Sequence, residues 1–159
     1  MRIFFDTEFI DDGKTVDLIS IGLVRDDGAE YYAESAECDL SRGCEWVQKN
    51  VIPHLTGNRK PRTQIAADLI EFCGESPQFW AYYASYDWLC LCQLYGRMLD
   101  TPFGWPHFVF DVQVLRSLLG VGWRLDQVST EHNALNDAKW TRDYFNALMK
   151  YQQQMRDRK

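Results

Sequence analysis

The run Val16-Asp17-Leu18-Ile19-Ser20-Ile21-Gly22-Leu23-Val24 is apolar at nearly every position. A strand with one wet face alternates polar and apolar residues, so this run predicts a central strand covered on both faces. The flanking sequence supplies its neighbours. Arg2 to Ile10 is an apolar run broken by acids, and Gly13 marks a turn. Asp26-Asp27-Gly28 is a hairpin signal leading to a third strand at Glu30 to Glu34. The chain therefore opens with a three-stranded antiparallel meander.

Helical patterns follow. Ser41 is placed to cap a helix carrying Trp46, Val47 and Val51 that ends before Pro53. Thr63 is placed to cap another, with Ile65, Leu69 and Phe72 on one face and Gly74 as the stop. Phe79 to Ala84 reads as a buried strand, and Ser85 as the cap of a helix running to Gly96. A short strand at Phe108 to Phe110 precedes a helix from Asp111 to Leu119. The last helix is expected from Ala134 to Gln153. A meander followed by alternating helices and strands predicts an α/β fold, a mixed five-stranded sheet flanked by helices.

The 159 residues, with 46% hydrophobic and 25% charged, suit one globular domain over 1–159 whose last few residues form a frayed tail. No repeat or long linker interrupts it. No apolar run reaches the ~18 residues of a membrane span. Met1-Arg2-Ile3-Phe4-Phe5-Asp6 meets an acid too early for a secretory signal. The five cysteines form no CxxC pair, and Cys90 and Cys92 diverge on a helix, so reduced thiols and a cytoplasmic setting are expected. The net charge of −6 disfavours nucleic acid on its face, but setting four carboxylates aside for metal brings it to −2.

Asp6 and Glu8 are two apart on the first strand, so both point to one face at the end of a buried run. Two such carboxylates repel unless a cation neutralises them, and oxygen donors suit Mg²⁺ or Mn²⁺. The plainer alternative is a strand emerging into water. Asp87 opens a helix after a later strand, where ligands gather in α/β sheets, or where an acid merely complements the helix dipole. In Glu131-His132-Asn133-Ala134-Leu135-Asn136-Asp137-Ala138, five residues separate His132 from Asp137, ~140° apart on a helix. The two serve one site if His132 lies on the loop and Asp137 in the first turns.

Asp-x-Glu on strand one, an acid opening a helix after a later strand, and His-x-Ala-x-x-Asp-Ala opening the last helix together resemble the DEDDh 3′–5′ exonucleases. The resemblance implies an RNase H-like fold, with Asp6, Glu8, Asp87 and Asp137 as the acids and His132 as the histidine. Phe5-Asp6-Thr7-Glu8-Phe9-Ile10, Leu18-Ile19-Ser20-Ile21-Gly22, Glu30-Tyr31-Tyr32-Ala33, Trp46-Val47 and Tyr86-Asp87 are similar to the polyadenylate-specific exoribonuclease AS (RNase AS) family. This likeness thins between Arg97 and Glu131. It implies two-metal-ion hydrolysis that releases nucleoside 5′-monophosphates from single-stranded RNA 3′ ends. The four acids would hold the ions and His132 would serve as general base. It also implies adenylate-containing RNA as substrate, and a homodimer.

Phe9, by the same likeness, packs against terminal bases, although core packing explains an apolar residue there equally well. Thr7 and Arg62 are further substrate-binding candidates. Arg62 belongs to the cluster Arg59-Lys60-Pro61-Arg62, which suits backbone phosphates or a solvated helix entry. Arg116, Arg124, Lys139 and Arg142 are scattered cations that sequence does not rank. Tyr82, Tyr83 and Tyr86 suit stacking or, more simply, the core. Three other activities remain open at this level: an exonuclease on single-stranded DNA, a non-catalytic RNA-binding module of the same fold, and a metal-dependent phosphatase.

Overall fold

A computed structural model describes residues 1–158. Strands β1 (Arg2–Asp11), β2 (Val16–Arg25) and β3 (Glu30–Ser35) form the antiparallel meander. Gly28, at φ +92°, makes the tight turn between β2 and β3, where Arg25 N–H bonds the Ala29 carbonyl at 2.9 Å. A 3₁₀ turn over 40–42 precedes helix α1 (Glu45–Asn50). Strand β4 (Arg59–Lys60), helix α2 (Arg62–Cys73), strand β5 (Gln78–Ala81) and helix α3 (Ser85–Gln93) follow. Strand β6 (Phe110–Asp111), helix α4 (Val112–Leu118) and helix α5 (Ala134–Arg156) complete the chain.

The sheet runs β4-β3-β2-β1-β5-β6, and β4, β5 and β6 join it in parallel. Among the described residues it has six strands, not the expected five. The extra one, β4, is only two residues long and carries no periodicity to betray it; pairing with Glu34 and Ser35 defines it. Caps also fall elsewhere than expected. Ser41 lies inside the 3₁₀ turn, with its N–H taken by the Asp39 carboxylate. Pro61 precedes α2 and fixes its entry, while the Glu37 carboxylate accepts from Arg62 N–H at 3.1 Å. The strand expected to reach Ala84 stops at Ala81, because Tyr83 turns to φ +58° and Ala84 begins the helix. The last helix continues to Arg156, past the expected end at Gln153, and Lys159 lies outside the described residues.

Burial follows strand parity. Ile3 and Phe5 of β1 join Ile21, Leu23, Ile65, Leu69 and Phe79 in a core shared with α2 and α3. Phe4 points the other way and packs with Val24, Val112, Ala138, Tyr144 and Phe145 under α4 and α5. Each face therefore has its own core, as the apolar run through β2 required. No helix among the described residues is long and apolar enough to cross a membrane.

Candidate active site

Asp6 and Glu8 follow Phe4 on the α5 face of β1, so the strand that buries Phe4 presents both carboxylates under the start of α5. Their partners on β2 are Gly22 and Ser20. The pairing slips just beyond Glu8, where Phe9 meets Leu18 and Ile19 is left over as a bulge. Gly22 is the key to the approach of α5. A Cβ there would lie 2.3 Å from the Ala134 carbonyl carbon and 2.3 Å from the Leu135 nitrogen. The helix start thus rests directly on β2 backbone, and Asp137 comes down beside the β1 acids.

Asn133 caps α5, its carboxamide oxygen accepting from Asn136 N–H at 3.2 Å. Its amide nitrogen donates to the His54 carbonyl at 3.1 Å, which ties the cap to the segment after α1. His132 lies just before the cap in the left-handed region, φ +62°. Its main-chain N–H donates to Asp137 Oδ2 at 2.9 Å, and its ring meets the Trp46 ring edge-on at 4.8 Å. Strain at φ > 0 persists only where surroundings enforce it, and here the Asp137 hydrogen bond and the Trp46 contact do so.

Glu8, His132 and Asp137 each offer a ligand atom, and all three atoms lie within 4.8 Å of one another. They line a cavity of about 210 Å³ with Asp6, Thr7, Tyr82, Arg124, Gln127, Glu131 and Trp140. Asp87, in the first turn of α3, is not on that wall but is near enough for its charge to act on Asp6 and Glu8. One of its oxygens accepts from Thr7 N–H at 2.8 Å and Thr7 Oγ1 at 2.7 Å.

The four acids sit together at a cost. Burial, then the charges of Asp87, Glu8 and Asp137, raise Asp6 well above the usual carboxylate range. Burial, then Asp137 and Asp87, push Glu8 up to about 8. Burial pushes Asp87 up to about 7 despite the two Thr7 hydrogen bonds, and the Asp111 charge adds to the rise. Burial also raises Asp137, opposed by hydrogen bonds from Gln127 and from the His132 N–H. Four oxygen-donor carboxylates driven toward protonation are a donor set that a hard divalent cation would satisfy.

The proposed substrate residues lie differently. Thr7 is buried and bound to Asp87, so its hydroxyl orients an acid. Phe9 stacks on Tyr86 at 5.2 Å and packs against the α2–α3 core, outside the acidic cavity. Arg62 is engaged by Asp17, the Leu18 carbonyl and Ser35 Oγ at the entry to α2. Sequence gave no reason to single out Gln127 or Asp111. Asp111 caps α4 with one oxygen and accepts from Ala84 N–H at 2.9 Å with the other, joining β6 to the α3 entry.

Residues 1–149 match the model of the Rv2179c-like family, described as a 3′–5′ exoribonuclease Rv2179c-like domain. The chain belongs to this family. Two relatives in Mycobacterium tuberculosis, the 3′–5′ exoribonucleases Rv2179c (strain H37Rv) and MT2234.1 (strain CDC 1551), are each 41% identical over 147 residues. Each match covers 87% of this chain and 88% of the relative. The Rv2179c-like fold also resembles solved structures of exonuclease I. One aligns at a TM-score of 0.63 with 13% identity, over 94% of this chain and 42% of that one. A second, of an ExoI/SSB-Ct complex, aligns at 0.56 with 10% identity over the same shares. This chain therefore spans under half of the exonuclease I chain, and at such identity the likeness shows fold alone, a mixed α/β sheet flanked by helices.

Proposed function

We propose that this Rv2179c-like protein is a metal-dependent 3′–5′ exoribonuclease of the DEDDh type, releasing nucleoside 5′-monophosphates from single-stranded RNA. The observation that carries the proposal is the convergence of Glu8, His132 and Asp137 within 4.8 Å, beside Asp6 and Asp87, in an open cavity. The exoribonuclease names of the 41% identical relatives support the choice of RNA.

Asp6, Glu8, Asp87 and Asp137 would hold two divalent cations, Mg²⁺ or Mn²⁺. When bound, such ions acidify water and offset the charge that develops on a phosphodiester under attack. The protein's own groups do the rest. Thr7 holds one Asp87 oxygen, leaving the other free. The His132 main chain and Gln127 fix Asp137. The imidazole of His132, in its neutral form, would accept the proton of the attacking water. Its lodging on a loop against Trp46 sets the ring beside the carboxylates without making it part of the helix. The likeness to RNase AS extends the proposal to adenylate-containing RNA and to a homodimer.

The test uses 5′-labelled RNA and DNA oligomers of each base with Mg²⁺ or Mn²⁺, an EDTA control, and the variants Asp6→Ala, Asp137→Ala and His132→Ala. The expected result is a ladder shortening from the 3′ end, faster on RNA and on adenylate, and lost with EDTA and in both acid variants. His132→Ala should keep its Mn²⁺ affinity by calorimetry yet lose about 10²–10⁴-fold in rate. Loss of Mn²⁺ binding in that variant would make His132 a ligand instead. Equal ladders on DNA and RNA would overturn the ribonuclease assignment. Gel filtration with light scattering reads the dimer.

A further inference from the structure

Nearly every cation that sequence offered for the substrate backbone is spent elsewhere in the fold. Arg116 donates to the Val121 and Gly122 carbonyls at 3.1 Å, and Lys139 pairs with Glu30 at 2.7 Å. Arg142 pairs with Asp143 at 3.0 Å, and Lys60 with Asp68 at 2.6 Å. Arg59 donates to the carbonyls of Ser35, Ala36 and Cys38, and Arg62 pairs with Asp17. Arg124 differs. It lines the same cavity as Asp6, Glu8 and Asp137, yet among the described residues it has neither an ion pair nor a side-chain hydrogen bond.

Nor is Arg124 loosely held. Tyr144 Oη donates to the Trp123 carbonyl at 2.8 Å, and Trp140 Nε1 donates to the Leu125 carbonyl at 3.1 Å. Two α5 side chains thus clamp the backbone on either side of it. The guanidinium lies over the Trp140 ring at 4.7 Å and the Tyr82 ring at 5.7 Å. Aromatic contact fixes the flat face of a guanidinium and leaves its N–H edge unspent. A guanidinium recruited only to balance charge would be expected to pair with one of the cavity's carboxylates. Held over the two rings instead, it keeps its donors for an anion that arrives from solution.

We propose that Arg124 is the substrate-phosphate residue of this site, its N–H edge binding non-bridging oxygens of a backbone phosphate next to the linkage being cut. The inference rests on the exoribonuclease reading above and adds to it the group that positions the strand. It also gives Tyr82 and Trp140 a task beyond the core, as the platform that orients the guanidinium.

The experiment compares wild type, Arg124→Gln and Arg124→Lys on single-stranded RNA with Mn²⁺, each first checked for an unchanged melting temperature. Arg124→Gln should raise KM about 10–100-fold, with kcat much less affected, as expected for losing a charge-assisted contact. Arg124→Lys should recover part of the loss. The slope of log(kcat/KM) against log[salt] should become shallower by about 0.7 in Arg124→Gln. A series of RNAs, each with one neutral methylphosphonate in the last few linkages other than the one cut, locates the contact. At one linkage, wild type should fall to the level of Arg124→Gln, and Arg124→Gln should lose nothing further. Additive losses at every linkage, or an Arg124→Gln variant with wild-type KM and salt slope, would overturn the assignment while leaving a wild-type enzyme that still shortens RNA. A wild type that shortens no RNA would instead remove the exoribonuclease reading on which it stands.

Discussion

Gly22→Ala asks whether the contact between α5 and β2 assembles the site. The added Cβ would meet three main-chain atoms, at 2.3, 2.3 and 2.4 Å. Ordinary contact begins at 3.4 Å, so strand and helix start must part by about 1 Å. Main-chain atoms cannot rotate aside, so the strain belongs at the upper end of the range for overpacking, about 3 kcal/mol. A chain of this size loses about 2–4 °C per kcal/mol, so the melting temperature should drop by about 6–12 °C. The same shift carries Asp137 away from Asp6 and Glu8, and a misplacement of about 1 Å costs on the order of 10²-fold in rate. The assay pairs thermal melts with cleavage of labelled RNA, at a temperature where both proteins are fully folded. Trimming the helix with Ala134→Gly should not rescue the variant, because the clash is with backbone. Gly122→Ala, where an added Cβ meets nothing within 4 Å, is the matched control. A Gly22→Ala protein that melts with wild type and keeps its turnover would refute the claim that this glycine sets the position of the acids.

The metal-free protein should be most stable at mildly acidic pH. Glu8 at about 8, Asp87 at about 7 and the raised Asp6 and Asp137 hold protons in the fold that the unfolded chain has already released. Their stabilising contribution is complete below the ordinary carboxylate pKa and is lost as pH rises through about 7 to 8. Melts in EDTA should therefore fall across that window, and Mn²⁺ should restore stability most at its alkaline end. A flat EDTA profile would mean that burial and neighbouring charge do not hold these acids protonated in the fold. Thr7→Val removes the 2.7 Å hydrogen bond to Asp87 while keeping the side chain's shape. It should cost about 1–3 kcal/mol by denaturant titration and weaken Mn²⁺ binding by calorimetry, with Thr7→Ser recovering both. Trp46 is 53% exposed, so Trp46→Ala should leave the melting temperature nearly unchanged yet lower kcat through the His132 ring it contacts.

Much of this site is visible in sequence because local geometry encodes it. Asp6 and Glu8 share a face by the two-residue period of a strand, and Phe4 ahead of them on the same face signals where it leads. Asp137 is legible as a first-turn acid once Asn133 is seen as a cap. What local pattern does not carry is contact between distant segments. Gln127, ten residues before Asp137, sits in a stretch with no regular structure to predict its direction. Pro61, not Thr63, sets the start of α2 because a carboxylate from Glu37 reaches across to the first N–H. Likewise Arg124 could not be ranked above Arg116 or Lys139, because what distinguishes it is the absence, among the described residues, of an ion-pair or hydrogen-bond partner in three dimensions.

The same distinction explains how the chain tolerates so unfavourable a cluster. Nothing about the four carboxylates draws them together; burial opposes it at each one, and mutual charge opposes it at Asp6 and Glu8. Their proximity is imposed by apolar packing elsewhere. Phe4 beneath α5, Phe5 against Phe79, and the bare backbone of Gly22 under Ala134 fix β1 and α5 before any acid contributes. A fold that spends core stability to hold like charges beneath a helix start gains from it only if cations arrive to relieve the repulsion. The acids should therefore be separable from the fold: replacing Asp6 with asparagine should abolish Mn²⁺ binding while raising the melting temperature of the EDTA-treated protein at pH 8. A fall in that temperature would show that the carboxylate holds the structure together, contrary to the packing argument.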